Sequence, residues 1–67
     1  MFHELDMVKL LKSMPEKRLA AGAMGVILLV YDQPELPIAY EVEFTNDIDE
    51  VVLLTLFEDD LEIEIEW

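Results

Sequence analysis

The chain has no cysteine, one histidine, one serine and two glycines among its 67 residues. Without cysteine there is no disulfide and no thiolate metal site. His3 alone excludes centres built on several imidazoles. Ser13 has no histidine near it in sequence, and His3 has no catalytic companion near it either, so a hydrolase triad has nothing to stand on. Bases are nearly as scarce. Lys9, Lys12, Lys17 and Arg18 are the only four, against sixteen acids, for a net charge of −12. From Leu19 to Trp67 there are thirteen acids and no base. Phosphate backbones are gripped by Lys and Arg, so nucleic acid is excluded as a partner, and so is an anionic membrane surface. A basic protein would be attracted and its encounter accelerated. The same charge also keeps a small apolar domain in solution.

Also absent is a long hydrophobic run. The longest, Leu19 to Tyr31, is thirteen residues, well short of the ~20 needed to span a bilayer. Two cations precede it, as in a signal peptide. The acids and Pro15 upstream, and the lack of a small-residue cleavage site after it, argue against one. The expectation is a soluble, cytoplasmic protein forming one domain over residues 1–67.

What is present is apolar. The hydrophobic fraction is 54%, somewhat above the roughly 45–50% of soluble domains. A chain this short buries a thin core and needs good packing or association to supplement it. Surplus apolar surface on a small body points to a covering partner.

The chain is organised around Leu19-Ala-Ala-Gly22-Ala-Met-Gly25-Val-Ile-Leu-Leu-Val30-Tyr31. Gly22 and Gly25 read as structural turn positions, suited to positive φ or close backbone approach. A phosphate-cradling loop would need a following helix and a lysine or more glycines. Here a β-branched run follows, so Met24 to Tyr31 is a strand. Val26, Leu28 and Val30 are expected on one face and Ile27, Leu29 and Tyr31 on the other, both covered, either by the barrel and the N-terminal segment or by another subunit. Asp32 to Pro37 is a turn fixed by two prolines.

Ile38, Tyr40, Val42 and Phe44 alternate with Ala39, Glu41 and Glu43, the pattern of a half-buried strand. Asn46-Asp47 supplies turn chemistry. Val51, Leu53, Thr55 and Phe57 then oppose Val52, Leu54 and Leu56. After Glu58-Asp59-Asp60, residues Leu61, Ile63, Ile65 and Trp67 alternate with Glu62, Glu64 and Glu66, giving a strand with an anionic outer face. Before Pro15 the pattern is double. Phe2, Leu5, Val8, Leu11 and Met14 recur at helical spacing, while Asp6, Val8 and Leu10 alternate weakly with Met7, Lys9 and Leu11. Residue pattern alone slightly favours a short helix there.

Leu19-x-x-Gly22-x-x-Gly25-Val26-Ile27, followed by Ala39-Tyr40-Glu41-Val42-Glu43-Phe44, resembles a family of short bacterial and cyanobacterial proteins known as domain of unknown function 4926. The resemblance runs from Glu4 to about Leu61. It implies a strand at about Asp6 to Lys12, and a small five-stranded Src-homology-3-like barrel with no enzymatic site. It also implies an antitoxin or immunity role, since such proteins are often encoded beside toxin-like or nuclease-like ones. The family commonly has an acid between the two glycines. Ala23-Met24 stands there instead and makes the turn more apolar.

The acids are candidates for chemistry as well as for recognition. Glu62, Glu64 and Glu66 lie in a row with no base between them, which suits a solvated face better than acid–base catalysis. With Asp59 and Asp60 they lack the glycine and alternating acids of a calcium loop. No metal, cofactor or specific small molecule is expected. Tyr40, Phe44 and Phe57 are expected in the core. Tyr31 and Trp67, at strand ends, are candidate partner anchors. The function expected is that of a non-enzymatic binding module. Glu41, Glu43, Glu62, Glu64 and Glu66 would attract a basic protein, and the apolar faces of Val26–Tyr31 and Val51–Phe57 would supply burial. The alternative is a self-assembling oligomer whose acids only confer solubility.

Overall fold

In the computed structural model, residues 2–57 and the backbone of residues 63–65 are described. The fold is all-β. Five strands, β1 (Met7–Leu10), β2 (Met24–Tyr31), β3 (Ala39–Thr45), β4 (Val51–Phe57) and β5 (Ile63–Ile65), form one antiparallel sheet in the order β4-β3-β2-β1-β5. A single 3-10 turn, Pro15–Lys17, interrupts the β1–β2 loop, with proline at its start where a missing N–H costs nothing. Among the described residues no ladder joins β4 to β5, so the sheet has two edges, and the ladders do not by themselves establish the five-stranded Src-homology-3-like barrel expected from the family. The first strand is four residues long, inside the Asp6–Lys12 span expected for it, and the segment before Pro15 is not helical.

One face of the sheet carries the core. Val8 and Leu10 of β1, Ile27 of β2, Tyr40, Val42 and Phe44 of β3, and Leu56 of β4 are buried there, joined by Leu19 from the loop. Val52 and Leu54 pack against them. The strict alternation in β3 dictates this, because successive side chains take opposite faces and only one set is apolar. Phe2 closes the cluster. Its ring sits 5.3 Å from that of Tyr40, and its N–H donates to the buried Tyr40 hydroxyl at 3.1 Å.

The central strand departs from simple alternation. Ile27 pairs with Val42, but Leu29, not Leu28, pairs with Glu41. Leu28 is an extra residue, a β-bulge, and the side chains beyond it change parity. Ile27 therefore faces the core, while Leu29 and Tyr31 are exposed on the opposite face and Val30 turns back inward. The expected grouping of Ile27 with Leu29 and Tyr31, and of Val26 with Leu28 and Val30, is wrong at this point. Within one chain the barrel and the N-terminal segment do not cover β2 on both faces, since Met24, Leu28, Leu29 and Tyr31 all remain exposed.

The two glycines do different work. Gly22 has φ +93° in the turn before β2, a conformation that side chains resist. Gly25 is not in the turn expected for it; it lies within β2, buried opposite Phe44 in the β2–β3 ladder, and serves close approach alone. A Cβ there would lie 2.7 Å from the Phe44 ring and 2.9 Å from Val42 Cγ1. The aromatic ring occupies the space the glycine leaves, which fixes where β3 rests on β2.

Candidate functional site

The outer face of the sheet is the surface that could carry a partner. The ladders bring its residues into cross-strand rows. Met7, Val26, Glu43 and Leu53 form one, Leu29, Glu41 and Thr55 another, and Tyr31, Ala39 and Phe57 a third. Along β4 the exposed set is Val51 (62%), Leu53 (54%), Thr55 and Phe57. A contiguous patch of exposed apolar side chains is the kind of surface on which partners dock. Glu41 and Glu43 stand within this apolar field, each half-buried between strands. The Thr55 hydroxyl donates to Glu41 Oε1 at 2.6 Å, which orients that carboxylate.

Of the residues expected to contact a partner, Glu41, Glu43 and Tyr31 are thus brought together. Glu64 is placed only by its strand position, opposite Lys9 in the β1–β5 ladder. Glu62, Glu66 and Trp67 lie outside the described residues. Phe57 is not a core residue. It lies on the exposed face at the end of β4, where it lines a groove of about 310 Å³ with Tyr31, Leu36, Pro37 and Ala39. Strand parity sends it there: Leu56 takes the inward position, so Phe57 faces out.

The opposite end of the sheet holds a polar junction. Asn46, 7% exposed, accepts hydrogen bonds at Oδ1 from the N–H groups of Ile48 (3.1 Å) and Glu50 (2.9 Å), and so shapes the β3–β4 turn. Its Nδ2 donates to the Lys17 carbonyl at 3.3 Å and to Glu50 Oε1 at 3.0 Å. Next to it Arg18 grips Asp47 with two hydrogen bonds, 2.9 and 3.3 Å. Two of the four bases thus sit at this corner, tying the β1–β2 loop to the β3–β4 turn. Asn46 was readable as a turn residue; its reach across to Lys17, 29 residues away, left no mark in sequence. A shallow groove of about 460 Å³ beside this junction is lined by Ser13, Leu19, Arg18 and Asp47.

His3 is exposed in a turn whose Asp6 carboxylate accepts its backbone N–H at 2.8 Å. Ser13 is exposed in the β1–β2 loop. Among the described residues no three His, Asp or Glu side chains cluster as metal ligands. No helix among them is long and apolar enough to cross a membrane.

No curated protein and no solved structure matches this chain. The glycine step, the Tyr-Glu-Val-Glu-Phe strand and the apolar strand after it are now placed as β2, β3 and β4, and the family pattern that contains them matches residues 4–63. The chain belongs to the family described as domain of unknown function (DUF4926).

Proposed function

We propose that this protein is a non-enzymatic acidic binding module that holds a basic protein partner on the outer face of its sheet, as an antitoxin or immunity protein holds its cognate. The carrying observation is the juxtaposition of Glu41 and Glu43 with exposed Leu29, Tyr31, Leu53 and Phe57. Apolar burial supplies affinity, while carboxylates in the same patch set orientation and association rate. A partner bearing Lys or Arg flanked by apolar side chains fits this chemistry.

The reading includes a strongly coiled sheet of the Src-homology-3-like kind. Phe57 lies at the Tyr31 end of the sheet and Ile63 at the Met24 end, on opposite edges. Flat, those two positions would be ~30 Å apart at ordinary strand spacing and rise. The chain from Phe57 to Ile63 reaches at most ~21 Å fully extended. Coiling that brings β4 toward β5 removes the discrepancy. Methyl cross-peaks in NMR between Leu56 and Ile63 or Ile65 would support closure, and their absence would leave the sheet open.

The functional test is capture of protein from the source cells by the full chain, at low and high salt, with wild type beside Glu41→Lys/Glu43→Lys. The expected captive is basic. Its association with purified wild type should slow as salt rises, and fall about tenfold with the charge reversal. Equal association by the charge-reversed chain, or rates indifferent to salt, would overturn the proposal.

A further inference from the structure

β4 is an edge strand, and its backbone is unusually well prepared for another strand. The Asn46 N–H donates to the Glu50 carbonyl at 2.9 Å. Counting along the antiparallel register, Val52, Leu54 and Leu56 direct their N–H and C=O groups at β3. Val51, Leu53, Thr55 and Phe57 therefore direct theirs at the open edge, where no strand pairs with them among the described residues. Natural edges are blunted by charge, proline, a bulge or shortness. From Val51 to Phe57 there is no charged residue and no proline, the β3–β4 register runs unbroken, and the strand is seven residues long.

We infer that the β4 edge pairs antiparallel with the β4 edge of a second copy of this chain, joining the two sheets into one. Charge selects that occupant. Each copy carries −12, so two copies repel least along a strand that presents no acid, and β4 is an edge without one. Centring the pair on Leu53 puts Leu53 opposite the copy's Leu53 and Val51 opposite the copy's Thr55. Glu50 then faces the copy's Leu56 and not the copy's Glu58. The contact is isologous and closes at two. It does not depend on the basic-partner reading, because β4 side chains keep pointing outward when its edge is paired; it requires only that coiling of the sheet stop short of a β4–β5 ladder.

Sedimentation equilibrium of the full chain over a concentration series, at 0.05 and 0.5 M salt, tests this together with amide hydrogen exchange. The expected result is a dimer that tightens with salt as self-repulsion is screened. Leu53→Lys places like charges opposite each other and should weaken the dimer about tenfold or more. In wild type, the Leu53 and Thr55 amides should exchange more slowly as concentration rises. In Leu53→Lys that concentration dependence should vanish, while Val42 and Leu54 stay protected and report an intact sheet. A monomer at every concentration would overturn the inference. So would a dimer whose Leu53 amide exchanges freely, or one indifferent to Leu53→Lys.

Discussion

Replacing Gly25 by alanine puts a methyl group into space that Phe44 and Val42 already fill. The added Cβ would lie 2.7 and 2.8 Å from two Phe44 ring carbons and 2.9 Å from Val42 Cγ1. Ordinary carbon contacts lie at about 3.5–4.0 Å, so the overlap is roughly an ångström. Neither neighbour has room to retreat, since both are fully buried in the core face of β3. Overpacking of this kind costs about 1–3 kcal/mol, and valine, with two more methyls, costs more. Against it stands a gain of only about 0.4–1 kcal/mol from stiffening the unfolded chain. A domain of this length holds roughly 3–10 kcal/mol in all. A net loss of about 1 kcal/mol lowers the melting temperature by roughly 4–8 °C. Gly25→Ala should therefore fold but melt early, and Gly25→Val should be largely unfolded. Melting followed by circular dichroism measures both. Gly22→Ala is the control, with open space around it but φ +93°, so it loses only a backbone term of about 1–2 kcal/mol. The decisive arm is a double-mutant cycle with Phe44→Leu. If the ring is what the methyl strikes, the pair is less destabilised than the sum of its singles by about 1 kcal/mol or more. Strict additivity, or a Gly25→Ala chain melting with wild type, would refute the steric account.

Asn46→Ala strands the Ile48 and Glu50 N–H groups and the Lys17 carbonyl, and should cost about 1–3 kcal/mol in urea unfolding. Loss of amide protection should be concentrated at the β3–β4 turn. Tyr40→Phe removes the acceptor for the Phe2 N–H while leaving the ring pair, so a loss of about 1 kcal/mol is expected. Tyr40→Ala, which empties a fully buried site, should cost about 3–5 kcal/mol by the same denaturation assay.

The alternation of Ile38–Phe44 was legible because only one of its two faces is apolar, and the structure repeats it residue for residue. β4 was legible as a strand from its run of β-branched and apolar residues after the Asn46-Asp47 turn, but both its faces are apolar, and Phe57 was misplaced when its aromatic character outweighed its position. In β2 both faces are apolar, so nothing in the residue types could locate the bulge at Leu28; the register with β3 decides it. β1 is four residues long, too short for alternation to prevail over the threefold spacing of Phe2, Leu5 and Val8, and only the family resemblance pointed to a strand. Glu41, Glu43 and Tyr31 were found from sequence as candidate contacts. Their union with Leu29 and Leu53 in one patch depends on that same unreadable bulge, which turns Leu29 outward.

Shortening a strand by one residue normally turns its remaining half inside out. At Leu28 the arithmetic is reversed, because a chain lacking it would run Ile27 inward, Leu29 outward, Val30 inward and Tyr31 outward without a break. The middle of the sheet thus holds a dispensable residue. A chain with Leu28 deleted should keep its core and its sorted faces and give up curvature alone, which makes this position a handle on how tightly the sheet is rolled.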